Sequence, residues 1–351
     1  MMNDIKTRAF AAFMGLGIGD AMSWQAMYHR SYLLPFWTRR IRREIDAASE
    51  ESNTIRLPMP FSLNQPAEVF AIGPTDDTEW AVFTAKQLLD QQGHLDKDKS
   101  LQTWLRLANS EESVRGSIGV QAGLANLRRG KLPPICGHDN PHYFDDSSMC
   151  RAVPIGIVCA GKPDRAAALA KLDAMMTNAD EGILAAQIIA AMMSQACAGE
   201  SLEEIMRYVR RMIQQSSWLE KTVENALCLA ESSVSILHAF PVLCDRIINR
   251  VYSYADAAPE TLALLLVILK KTGADFEIAM MTAASFASVA DSLAPLVGAV
   301  TAALMERKFD YSDWLDNLRH LKGICIPELQ GVNFLAIAED LANLAAEKAS
   351  I

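Results

Sequence analysis

Residues 75–78 read Thr-Asp-Asp-Thr, preceded by Gly73 and Pro74 and followed by the apolar run "WAVFTAKQLL". Two readings compete for this stretch. A helix start needs one capping oxygen, which Thr75 or Asp76 could supply, and acids in a first turn suit the helix dipole. Yet Thr75, Asp76, Asp77 and Thr78 bring six side-chain oxygens together, and adjacent carboxylates repel. A hard cation such as Mg2+ or Ca2+ relieves that repulsion through carboxylate and hydroxyl oxygens.

Three further stretches could contribute chemistry. In "SFASVADSLAPLVGAVTAALM", residues 285–305, Asp291 and Ser292 open an apolar helix. Taken alone, this Asp is expected to be a helix cap, with Pro295 in the first turn. In "YFDDSSMCRAVPIG", residues 143–156, Asp145, Asp146, Ser147 and Ser148 run into Arg151. The plain reading there is a polar turn leading into a helix. In "GLGIGDAM", residues 15–22, the glycines could suggest a dinucleotide loop. No strand precedes them and the final glycine is missing, so close helix packing explains them better.

The elements that must position these residues are helices. "GILAAQIIAAMMSQACAG", "TVENALCLAESSVSILHAF" and "ETLALLLVILKKTG" are rich in Ala, Leu or Met, and Gly93, Gly199 and Gly273 follow helical runs as stop signals. Period-two alternation is scarce. The expectation is an all-α fold, one domain over residues 1–351, with long loops at 52–76 and 130–148. Loops of that length in a helical protein tend to carry function.

Composition narrows the classes. Half of the 351 residues are hydrophobic and 21% are charged, enough for a large core. The net charge of −9 and the lack of a basic stripe argue against nucleic acid. Arg39, Arg40, Arg42 and Arg43 are diluted by Glu44, Asp46, Glu50 and Glu51, as on a solvated charged segment. Seven scattered cysteines with no C-x-x-C suggest buried thiols in a reduced, cytoplasmic protein. Asp4 and Asp20 weaken a signal-peptide reading of the N-terminus, and no uncharged run is expected to span a bilayer.

In this order, "GLGIGDA", "TDDT", "RGSIGVQAGLANLRRG" at 115–130, "CRAVPIG" at 150–156 and the late Asp-hydroxyl pair resemble the ADP-ribosylglycohydrolase family. "MTNADEGILAAQIIAAMM" and "GICIPELQG" are similar to that family as well, so the resemblance covers roughly residues 8–345. It implies an all-α single domain with a two-magnesium centre in a cleft, cleaving the anomeric bond of an ADP-ribose unit. It implies Thr75, Asp76, Asp77, Asp291 and Ser292 as metal ligands, with Asp76 or Asp77 as catalytic base. Asp146, Ser147, Ser148 and Arg151 would cradle phosphate and ribose, with Asp145 beside them, and Asp145 or Asp146 could stand in for a missing carboxylate. Read from the residues, Trp24, Tyr143 and Phe144 are candidates to stack on a base, though such residues are more often core. Partners would be an ADP-ribose-containing small molecule or an ADP-ribosylated protein.

The chain also departs from that pattern. Val289 stands where the family has the first Asp of G-D-x-D-T, and Asp146 and Ser147 replace its usual Asn-Gly. Ser23, Gln25 and Met27 occupy the stretch where many members carry glycine, proline and glutamate. One firmly held Mg2+ and a weak or missing second are therefore expected. Two other readings remain open: a non-catalytic binder of ADP-ribose or of a protein partner, and a nucleoside hydrolase. Asp77 and Asp291 are expected to meet, with the loop at 145–151 facing the same cleft.

Overall fold

The computed structural model describes residues 4–23, 47, 50, 51, 73–213, 215, 217–248, 257–286, 288–306, 309, 310 and 312–350. Trp24, Gln25, Met27, the Arg39–Arg43 segment and the loop up to residue 72 lie outside the described residues. The described residues form sixteen α-helices and one 3-10 turn. They contain no strand, only isolated bridges between Asp145 and Ala257 and between His320 and Asn333. The all-α expectation holds.

The helices Ile5–Ser23 and Ala290–Leu304 form the centre. Both are apolar nearly all round, as a helix enclosed by neighbours must be. Their backbones touch. A Cβ on Gly15 would sit 2.3 Å from the Gly298 carbonyl oxygen, and one on Gly298 would sit 2.2 Å from that of Gly15. The glycines of "GLGIGDAM" are thus packing residues. Gly298→Val is expected to cost about 1–3 kcal/mol in urea unfolding, because a backbone oxygen cannot swing aside. A stability equal to wild type would show that the two helices are not in contact in solution.

Ser147–Val158, Asp180–Ala198 and Asp76–Asp90 pack around this pair. Asp180–Ala198 is long and apolar enough to cross a membrane, which corrects the expectation that no such run exists. The helix is mostly buried against Ser147–Val158 and Pro163–Ala174, and its apolar length serves that burial. Gly199 and Gly273 end their helices at φ 87° and 63°, the left-handed turn anticipated for them. Cys136, Cys150, Cys159, Cys197 and Cys325 are buried, whereas Cys228 is exposed.

Neither helix start uses the cap expected from the sequence. Thr75 is the N-cap residue of Asp76–Asp90, but its side chain makes no capping bond. Val289 caps Ala290–Leu304, so Asp291 is already its second residue. Pro295 lies inside that helix, beyond its first turn. Pro295 has no N–H to offer the Asp291 carbonyl; Ser23 Oγ lies 3.4 Å from that oxygen and 3.0 Å from the Asp20 carbonyl.

Candidate metal centre

Asp76, Asp77 and Asp291 converge, with one carboxylate oxygen of each within 4.8 Å of the others. Asp77 and Asp291 are 5% and 3% exposed, so the like charges cannot be dispersed into water. Ser292, also buried, has no hydrogen-bond partner for its Oγ among the described residues. Three carboxylates and an unmatched hydroxyl form an oxygen-only donor set, which suits a hard divalent cation.

The side chain that caps Asp76–Asp90 comes from another helix. Asp20, fully buried near the end of Ile5–Ser23, accepts hydrogen bonds from the Thr75 backbone N–H at 2.7 Å and the Thr78 N–H at 3.1 Å. It also accepts from both threonine hydroxyls. The threonines of "TDDT" are thereby fixed, and the two aspartates between them are left to point elsewhere. Burial, then the neighbouring Asp76 charge, push the Asp20 pKa up to about 7, against the pull of the Thr75 and Thr78 hydrogen bonds.

The sign of this shift can be tested. Between the ordinary carboxylate pKa and about 7, the folded state of metal-free protein binds the extra proton. Asp20 therefore makes stability fall as pH rises through that window. Asp20→Asn should flatten the slope in EDTA-stripped protein, as read by urea unfolding at pH 5 to 8. An unchanged slope would assign the dependence to another group.

Glu79, one turn further along the same helix, is fully buried. Its carboxylate accepts the backbone N–H groups of Ile324 at 2.7 Å, Cys325 at 2.7 Å and Ile326 at 3.0 Å. This ties "GICIPELQG" to the acidic centre. Burial raises the Glu79 pKa, and the three N–H groups oppose the rise. Cys325, next to this clamp, is a buried thiol whose pKa is raised by burial and then by the charges of Asp76, Glu79, Asp291 and Asp77.

The 145–151 segment adjoins the same centre through Cys150. Its Sγ lies 4.0 Å from the Ser292 carbonyl oxygen. Burial, followed by the charges of Asp77 and Asp146, raises this thiol well above the ordinary range. Within the loop most predicted ligands turn inward. Asp145 accepts from Ser117 Oγ at 2.7 Å and the Gly119 N–H at 3.1 Å. It also accepts from Ser147 Oγ at 2.6 Å and Asn178 Nδ2 at 2.9 Å. Asp146 accepts from Thr261 Oγ1 at 2.6 Å, and Ser148 Oγ donates to the Gly182 carbonyl at 3.1 Å. Ser147 alone among these four is more than slightly exposed.

Arg151 is fully buried. Its Nε donates to Asp173 at 2.7 Å and an NH2 to Thr177 Oγ1 at 2.8 Å, and its guanidinium lies 5.0 Å from the Trp104 ring centre. In this structure Arg151 braces the loop from beneath. Tyr143, Phe144 and Trp218 form an aromatic edge beside it, with Phe144 5.4 Å from each neighbour.

The sequence matches the ADP-ribosylglycohydrolase family over residues 1–350. The chain belongs to that family. It is thus a member of a glycohydrolase family, and its carboxylate cluster is a place where such a member could hold a metal. A solved structure described as an "ADP-ribosylglycohydrolase-related protein complex" matches with a TM-score of 0.61 at 19% identity. That match spans 98% of this chain and 100% of the other, and at such identity it speaks for the fold. Among curated proteins no match is found.

Reading the sequence missed Asp20, Glu79 and Asn178. Asp20 carried a signal, since an acid inside an apolar, glycine-rich helix must find donors. Glu79 and Asn178 carried no local signal, because their partners lie 245 and 33 positions away.

Proposed function

We propose that this family member is a Mg2+-dependent glycosidase that hydrolyses the bond at the ribose anomeric carbon of an ADP-ribosyl or related nucleoside-type substrate. The observation that carries this reading is the meeting of Asp76 and Asp77 with Asp291, from the far end of the chain, beside a buried Ser292 hydroxyl. Asp76, Asp77, Asp291, Thr75 and Ser292 would hold the ion. When bound, Mg2+ would orient the ribose hydroxyls and polarise a water. Asp76 or Asp77 would take a proton from water as the water oxygen bonds to the anomeric carbon through an oxocarbenium-like state; the leaving nitrogen or oxygen would depart with the electron pair of the broken bond and take up a proton from solvent, and the aspartate would return its own to solvent. Ser147 and the start of Ser147–Val158 would receive phosphate or ribose oxygens, and the Tyr143–Phe144–Trp218 edge offers a surface for a base.

The test is a substrate panel: an ADP-ribosylated arginine peptide, an O-linked ADP-ribosyl peptide and free nucleosides, each with Mg2+ and with EDTA. Release of free ADP-ribose with Mg2+ and not with EDTA is expected. Full turnover in EDTA would overturn the metal's role, and release of base from nucleosides alone would overturn the ADP-ribosyl assignment.

A second reading rests on Val289. This residue is buried at the turn that delivers Asp291, and it supplies no oxygen. A member so altered could bind ADP-ribose or a protein partner without cleaving it. ADP-ribose binding by calorimetry with no turnover of any panel substrate would favour that reading.

A further inference from the structure

The direction of one proton decides what Ser147 can offer a ligand. Its Oγ lies 2.6 Å from Asp145 Oδ1, and its backbone N–H donates to the same oxygen at 3.2 Å. Asp145 is fully buried and meets donors on both oxygens. Asn178 Nδ2 donates to Oδ1 at 2.9 Å, while Ser117 Oγ and the Gly119 N–H donate to Oδ2 at 2.7 and 3.1 Å. A carboxylate engaged by donors on both oxygens accepts and does not donate, so the proton between Asp145 and Ser147 belongs to the serine. The other nearby acceptor, Asn178 Oδ1, lies 3.5 Å from Ser147 Oγ and already takes the Thr177 hydroxyl at 2.6 Å.

With its proton committed inward, Ser147 Oγ has only lone pairs left for a ligand, and the residue keeps part of its surface exposed. Lone pairs need a donor. The N–H groups that usually receive phosphate at a helix start are also engaged: that of Ser147 by Asp145, and that of Met149 by the Asp146 carbonyl at 2.8 Å. The Asp145 carboxylate behind the hydroxyl would in addition repel a phosphate oxygen. In an ADP-ribosyl ligand at neutral pH the phosphates carry no donor, whereas the ribose hydroxyls do. We propose that Ser147, its own proton held by Asp145, binds the ligand as an acceptor and takes the hydrogen of a ribose hydroxyl, with no phosphate oxygen against it. The proposal rests on the ADP-ribosyl reading above and narrows it at Ser147 from phosphate or ribose to ribose.

The test is calorimetric titration of the full chain, in Mg2+, with ADP-ribose and with analogues that each lack a single ribose hydroxyl. Ser147→Ala is expected to bind ADP-ribose about fivefold more weakly than wild type, as loss of one hydrogen bond between neutral groups would give. One analogue should bind wild type more weakly by a similar factor and lose nothing further in Ser147→Ala, because both changes remove the same contact. A loss in Ser147→Ala that is equal for ADP-ribose and for every analogue would overturn the proposal, since the serine would then meet a group other than a ribose hydroxyl. Unchanged ADP-ribose affinity in Ser147→Ala would overturn it as well. If thermal melts show Ser147→Ala to be misfolded, Ser147→Gly replaces it with the same expected and overturning results. No ADP-ribose binding by wild type would overturn the ADP-ribosyl reading itself, a failure distinct from a loss shared by every analogue.

Discussion

Asp77→Ala is expected to abolish Mg2+ binding and glycosidase activity together while the helical fold survives. Asp77 is buried, and its carboxylate shares a space of 4.8 Å with those of Asp76 and Asp291. A divalent ion bound there depends on all three charges, so loss of one should lower turnover on the order of a thousandfold or more. The fold does not depend on it. Two N–H groups at the start of Asp76–Asp90, those of Thr75 and Thr78, are met by Asp20 rather than by Asp77. In metal-free protein the substitution also removes repulsion from two like charges, so stability should hold or rise. Calorimetry with Mg2+, a thermal melt and a product assay read the three quantities separately. Retained activity with unchanged Mg2+ affinity would show that these carboxylates do not form the centre.

Asp173→Ala should give the largest loss of stability, about 3–5 kcal/mol, because it strands a buried guanidinium. Arg151 and Asp173 are 0% and 3% exposed along their side chains, with Nε and carboxylate oxygen 2.7 Å apart. Trp80 and Trp104, stacked with ring centres 5.6 Å apart, lie against the same guanidinium. The damage should reach the site. Arg151 also donates to the Ser147 carbonyl and to Thr177 Oγ1, and Thr177 donates to Asn178, whose amide holds Asp145. Urea unfolding under reducing conditions measures the loss. Replacing both partners, as Arg151→Met with Asp173→Leu, should recover most of it, since an apolar pair leaves no buried charge. A cost below about 1 kcal/mol for Asp173→Ala, the range of exposed ion pairs, would show the pair to be hydrated.

Much of this protein was determined locally and so was legible in its residues. Ala-, Leu- and Met-rich periodic runs with Gly199 and Gly273 behind them make helices wherever they are buried, which set the all-α class. The crowding of oxygens in "TDDT" and the late Asp291–Ser292 pair marked a candidate site because like charges in adjacent positions need an explanation. Motif order supplied the family. Tertiary structure alone decided the rest. A helix cap is recognised in sequence as a residue at the helix start, yet here the capping carboxylate is Asp20, 55 residues away from Thr75, so no local rule could find it. The same limit hid Glu79, whose partners lie some 245 residues further on at Ile324. Asp145 and Ser148 have the types expected of ligand groups. Burial turned them inward, because a polar atom without water must bond to whatever donor or acceptor the packing puts beside it. Residue type is written in the chain, but the direction in which a side chain spends its hydrogen bonds depends on neighbours that only folding brings near.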